Sequence, residues 1–281
     1  MNHVIVTGGS GRLGRRVVDL LVSRGESVVS VDVTKRDDCP CPSVLADMTQ
    51  AGEAYDAILG ADAVVHLAAV PGPRVRPASA TFDTNVRSTY NVVEATVAHG
   101  LSRIVFASSV FTLGWHAEGD RFWPDYVPVD EAHRLAPLEA YGLSKVVGEE
   151  ICATACRRAG VTAISLRIMN VIQTDGYHAL PWAAPSPDAG VPFVMWPYVD
   201  VRDAARACCL ALRAEVRGHE AMYIAAADTR FDAPTEPLLR QLAPTVEIHH
   251  PLPDRASVIS VAKAQSLIAY VPQHDWMSHG R

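Results

Sequence analysis

The chain has 281 residues, 49% of them hydrophobic, and a net charge of −6 with acids and bases interspersed. That is enough apolar material for one large core, or a core plus a small lobe, while the lack of a basic stripe argues against nucleic acid as a partner. No run of about 18 apolar residues suggests a membrane span, and the start MNHVIVTGG lacks the basic and apolar regions of a secretory signal, so a cytoplasmic protein is expected.

In chain order, short β-branched runs alternate with amphipathic stretches. The apolar runs are 4–6, 28–31, 63–67, 104–107 and 163–166, and the intervening segments 13–23, 82–98 and 141–158 return apolar residues every three or four positions. This alternation predicts a doubly wound parallel sheet wrapped by helices, a Rossmann core over residues 1–170. After Asn170 the prolines at 181, 185, 187, 192 and 197 break the pattern, leaving helices recognisable at 203–213 and 260–268. Residues 171–281 are therefore expected to be mainly a small substrate-covering lobe, with some elements returning to the core.

The first strand runs into Thr7-Gly8-Gly9-Ser10-Gly11-Arg12-Leu13-Gly14 and then a helix. In that context Gly8 makes a tight turn, Gly11 lets the backbone approach a pyrophosphate and Gly14 permits close helix packing, with the helix N-terminus facing the anion. Asp32 follows at the end of the second apolar run, where a carboxylate accepts ribose hydroxyls and repels a 2′-phosphate, which predicts NAD as the cofactor. Lys35, Arg36 and Arg12 lie near enough in sequence to leave room for NADP.

Tyr141 and Lys145 are four apart on a predicted helix and project from one face. An ammonium beside a phenol stabilises the phenolate, and together with a positive nicotinamide ring it brings a weak base toward working range. Ser108 and Ser109 end the run 104–107 at the expected carboxyl edge of the sheet, where such folds bind ligands.

The ordered set TGGSGRLG, Asp32, Asp47-Met48, His66-Leu67-Ala68-Ala69, Asn85-Val86-Arg87-Ser88-Thr89-Tyr90-Asn91, Ala107-Ser108-Ser109, Tyr141-Gly142-Leu143-Ser144-Lys145 and Leu166-Arg167-Ile168-Met169-Asn170 resembles the extended short-chain dehydrogenase/reductase family. The resemblance covers most of the chain. It implies that Gly8, Gly11, Arg12, Leu13, Gly14, Asp32, Asp47, Met48, Leu67, Ala68, Ala69, Asn85 and Met169 serve the cofactor. It also implies that Ser109 binds the reacting oxygen, Tyr141 exchanges its proton, Lys145 grips both phenolate and ribose, and Asn170 approaches the substrate.

Departures from the family pattern narrow the choice. Ser109-Val110-Phe111 stands where sugar-nucleotide dehydratases carry an acid pair, and Pro251-Leu252-Pro253-Asp254 lacks the arginine and glycine of the epimerase diphosphate clamp. The compact length and the ending Tyr270-Val271-Pro272-Gln273-His274-Asp275-Trp276 look most like uronate dehydrogenase, though without that group's Ser-Asn-His. The expected reaction is hydride transfer from a sugar or sugar-acid hydroxyl to NAD. A sugar epimerase and a non-catalytic NAD-binding regulator are the alternatives, the second disfavoured by retention of Ser109, Tyr141 and Lys145. The resemblance also implies a homodimer formed through the helices predicted at 82–98 and 141–158.

The six cysteines have no zinc spacing, so no metal is expected, and Cys152 and Cys156 are read as small buried hydrophobes. His116, His133 and His178 are expected at the surface unless one serves as an extra acid or base. Trp115, Phe122, Trp123, Trp182 and Trp196 are divided between an apolar pocket wall and lobe packing.

Overall fold

The computed structural model describes residues 3–114, 123–185, 191 and 193–279. Trp115, His116 and Phe122 lie outside the described residues. In chain order the elements are β1 His3–Thr7, α1 Arg12–Ser23, β2 Ser27–Asp32, β3 Ser43–Leu45, α2 Ala51–Ile58, β4 Ala63–His66, α3 Ala78–Ala98, β5 Arg103–Ser109, β6 Tyr126–Val127, α4 Ala140–Ala159, β7 Thr162–Ile168 and β8 Asn170–Ile172. They continue with β9 Tyr198–Asp200, α5 Val201–Arg213, β10 His219–Ile224, α6 Thr235–Leu242, β11 Glu247–Ile248, α7 Ala262–Ile268 and α8 Trp276–His279.

Seven of the strands form one parallel sheet in the order β10-β7-β5-β4-β1-β2-β3. The order reverses direction beside β1, the kind of switch point where open α/β sheets leave a crevice at their carboxyl ends. Both faces are covered, so the inner strands read as continuous apolar runs rather than alternating ones. Within β1 the pleat still sorts side chains. Val4 and Val6 join Val17, Val18 and Leu21 of α1 in the main core, whereas Ile5 faces Ala54 and Ile58 of α2 and Val92 of α3. Phe106 on β5 packs with Val93 of α3 and with Cys152 and Cys156 of α4, both buried as expected.

The five expected apolar runs are β1, β2, β4, β5 and β7. Two further strands of this sheet carry no such β-branched run. The edge strand β3 has three residues, and β10 is HEAMYI, whose Glu, Ala and Met favour helix and conceal a strand paired along β7 from His219↔Ala163 to Ile224↔Ile168. The later helix begins earlier than expected, at Val201, because Asp200 caps it by accepting from Arg202 N at 2.6 Å. Thus β10 extends the sheet and α5 packs against α1. Among the described residues no helix is long and apolar enough to cross a membrane.

Candidate active site

The carboxyl ends of six neighbouring strands, from β3 to β7, open into one cavity of about 1130 Å³. Its lining takes Gly8 after β1, Asp32 ending β2, Asp47 and Met48 after β3, Leu67 to Val70 after β4, Ser108 and Ser109 ending β5, and Ile168 to Asn170 at the end of β7. That exceeds the 300–1,000 Å³ of ordinary small-molecule pockets, leaving room for a dinucleotide and a second molecule.

At one end the glycine loop makes a cradle that side chains would fill. Gly8 has φ +72°, and a Cβ there would lie 2.7 Å from the Ala68 nitrogen; a Cβ on Gly14 would collide with the Gly8 carbonyl oxygen. α1 has Gly11 at its N-cap, with no side-chain cap and no acid in its first turn, so its first N–H groups remain available to an anion. Asp32 accepts from Ser10 N at 3.0 Å and Thr34 N at 3.2 Å. Those two bonds fix the carboxylate at the cavity wall and leave acceptor capacity for hydroxyls. Met48 is held by Asn91 Nδ2, which donates to its carbonyl at 2.9 Å, while Asp47 Oδ1 accepts from Thr49 N at 2.9 Å. An uncapped helix end, a side-chain-free cradle and a carboxylate beyond it suit the pyrophosphate and ribose of a dinucleotide.

Of the cations near Asp32, Arg36 is committed elsewhere: its buried guanidinium meets Asp19 and Asp38, each at 2.7 Å. Arg12 lines the cavity, whereas Lys35 is exposed outside the lining.

At the other end β5 and the first turns of α4 bring the hydroxyls and the amine together. Glu139 caps α4 by accepting from Tyr141 N at 2.6 Å and Gly142 N at 2.5 Å. Burial pushes the Tyr141 phenol up to about 12, a hydrogen bond with Ser109 opposes that, and the Glu139 charge adds to it. Lys145 donates to the Ala107 carbonyl at 2.8 Å, and its ammonium lies 5.6 Å from the Tyr141 ring centroid. Burial pulls that amine down to about 8, with the Glu149 charge among the influences opposing the drop.

The two serines differ in employment. Ser108 donates to Glu149 Oε1 at 2.5 Å, and Arg167 grips the same buried carboxylate through Nε at 3.0 Å and Nη2 at 2.8 Å. Ser109 instead accepts from Phe111 N at 3.3 Å and reaches the phenol. Phe111 packs edge-on against Tyr141, with ring centroids 5.6 Å apart. It lines the cavity together with Val75, Arg76 and Gln173, none of which carries a sequence signal for that position.

Asn85 stands behind the wall. Its Oδ1 accepts from Val70 N at 2.7 Å and its Nδ2 donates to Ser144 Oγ at 3.0 Å, tying the loop after β4 to α4. Met169 and Asn170 both reach the lining, and Asn170 Nδ2 donates to the Val194 carbonyl at 2.6 Å. His133, expected at the surface, is buried. It accepts from Asp125 N at 3.0 Å through Nε2, and its Nδ1 meets the Arg134 carbonyl at 2.8 Å. His178 is exposed with Nδ1 on the Asp175 carbonyl. Trp123, Trp182 and Trp196 pack with Phe193 and Phe231 and do not line the cavity.

An L-arabinose 1-dehydrogenase (NAD(P)(+)) of Haloferax volcanii is 33% identical over 180 residues, 62% of this chain and 69% of that protein. A uronate dehydrogenase of Agrobacterium fabrum is 31% identical over 170 residues, 60% of this chain and 61% of that one. The fold is shared with a short-chain dehydrogenase/reductase superfamily protein of Agrobacterium tumefaciens solved with bound NAD, at a TM-score of 0.77 and 22% identity over 99% of this chain and 94% of the other. With residues 4–225 matching its family model, the chain belongs to the NAD dependent epimerase/dehydratase family and is an NAD-dependent enzyme.

Proposed function

We propose that the protein oxidises a hydroxyl of a free sugar or sugar acid, with Tyr141 as the general base. The carrying observation is the convergence of Ser109, Tyr141 and Lys145 at one end of a cavity whose other end holds Asp32 and the open start of α1. NAD, when bound, accepts the hydride, and its positive nicotinamide ring lowers the phenol's pKa. Tyr141 Oη takes the hydroxyl proton, and Ser109 Oγ holds the same oxygen as charge develops on it. Lys145 supplies a fixed positive charge to the phenolate. Gly8, Gly11, Arg12, Leu13 and Gly14 would hold the pyrophosphate, Asp32 the ribose, and Asp47 with Met48 the adenine. Leu67, Ala68, Ala69 and Met169 would flank the nicotinamide half, with Asn85 bracing that loop from behind and Asn170 near the substrate.

The segment beyond residue 170 is proposed to cover the substrate apart from α5 and β10, which belong with the sheet. A homodimer is proposed through α3 and α4, which pack together and leave Tyr90 and Leu143 exposed; a monomer mass at micromolar concentration would remove it. A cytoplasmic location belongs to the same reading.

A turnover screen over free sugars, sugar acids and sugar nucleotides tests the reaction. Accumulating NADH with a free sugar or sugar acid supports it. Inversion of a sugar centre at constant NADH would make the enzyme an epimerase instead.

A further inference from the structure

The segment joining β2 to β3 carries chemistry that the proposed reaction leaves unused. Cys39 and Cys41 flank Pro40 with their sulfur atoms 3.6 Å apart, and both are half-buried. Cys152, Cys156, Cys208 and Cys209 are instead buried in the helices. The pair is anchored on both sides. Cys39 N donates to the Arg36 carbonyl at 3.4 Å, and the Pro42 carbonyl accepts from Ser30 N at 2.9 Å. Arg36 is itself clamped between Asp19 and Asp38. The segment leaves the cavity wall at Asp32 to Thr34 and re-enters it at Ala46, so a change in its length is felt at both ends.

We propose that Cys39 and Cys41 are a reversible dithiol/disulfide couple, closed by exchange with a low-molecular-weight disulfide such as oxidised glutathione, whose closure weakens NAD binding. Burial, aided by the hydrogen bond with Cys39, pushes the Cys41 thiol up to about 12, so Cys39 attacks first and Cys41 resolves. The Cys39 thiolate displaces one small thiolate and forms a mixed disulfide. Cys41 then loses its proton, attacks the Cys39 sulfur and expels the second small thiolate. The protein gives up two electrons and two protons, and the small disulfide becomes two thiols. A metal ion fits the pair less well, because among the described residues no group of three His, Cys, Asp or Glu is placed to hold one. Closure draws the sulfurs from 3.6 Å to about 2.05 Å. The Arg36 clamp resists that contraction, which passes to the Asp32 turn and to β3.

The effect on affinity rests on placing the adenosine half of NAD at Asp32 and Met48; the disulfide does not. The full chain is equilibrated in glutathione buffers of graded potential, quenched and alkylated, and the peptide containing residues 39–41 is weighed while NAD is titrated into parallel samples. The expected result is a cooperative loss of two hydrogens and of both alkylation sites, with the NAD dissociation constant rising about fivefold or more and recovering in dithiothreitol. Cys39→Ser and Cys41→Ser should each bind NAD as the reduced protein does and lose the redox response. Two alkylated thiols at every potential, glutathione adducts that never resolve, or equal NAD affinity in both states overturns the proposal. Failure of the reduced chain to bind NAD would count against the cofactor placement, while the peptide mass still reports on the thiols.

Discussion

The Lys145 ammonium stands 5.6 Å from the Tyr141 ring centroid, tied there by its bond to the Ala107 carbonyl. That arrangement makes Tyr141→Phe an isosteric loss of one hydroxyl. Turnover on a verified substrate should fall by about 10² to 10⁴ with NAD affinity retained. Near-native activity would relegate Tyr141 to the pocket wall.

Turnover should rise with pH as Tyr141 ionises, and Lys145→Met should lower it, weaken NAD and move that rise to higher pH. It should also stabilise the cofactor-free fold at neutral pH. The amine's folded pKa, about 8, lies below the 10.5 of a lysine in the unfolded chain. Between those values the unfolded chain binds the extra proton, so native stability rises with pH across that window and is at its deficit below it. A methionine removes a deficit on the order of 3 kcal/mol; urea titrations of both proteins at pH 7 and near pH 10 test it.

Asp32 should make NAD bind at least about tenfold more tightly than NADP, because a 2′-phosphate would meet a fixed carboxylate. Arg36 cannot relieve that repulsion while Asp19 and Asp38 hold it. Parallel titrations of the two cofactors decide the matter, and equal affinities would shift the selectivity to Arg12 or Lys35.

His66 bonds Thr7 at 2.7 Å and Thr89 at 3.2 Å in the core, and burial pulls its imidazole down to about 3 from 6.5. Between those values the unfolded chain takes a proton that the folded one refuses, so stability is full above pH 6.5 and falls as the pH drops toward 3. Urea midpoints from pH 4 to 7 should slope less steeply in His66→Asn than in the native chain.

Glu149→Ala should strand the Arg167 guanidinium in the core. The expected cost is about 3–5 kcal/mol in equilibrium unfolding, the usual result of removing one partner of a buried pair. Glu149→Ala with Arg167→Met should recover part of that loss.

The parts of the site that were legible in sequence are those whose geometry is local. A helix brings Tyr141 and Lys145 to one face whatever surrounds them, and a strand, a glycine loop and a helix place Gly8, Gly14 and Asp32 within one supersecondary unit. The pairing of Arg36 is not legible in the same way, because its partner Asp19 is seventeen residues away on α1. Asn85 and His133 were likewise beyond local reasoning, one turned to Ser144 and the other accepting from a backbone N–H. β10 was hidden because pairing with β7 overrides what His219–Ile224 would prefer alone.

The caps on two helices give the cavity a polarity. Glu139 occupies the first N–H groups of α4 with its own carboxylate, whereas α1 begins bare after Gly11. A doubly phosphorylated molecule entering this cleft therefore finds one electropositive mouth and one already neutralised. Phosphate charge is therefore drawn to the Asp32 end of the cleft and away from Tyr141, which leaves the neighbourhood of the phenol to an uncharged part of whatever binds there.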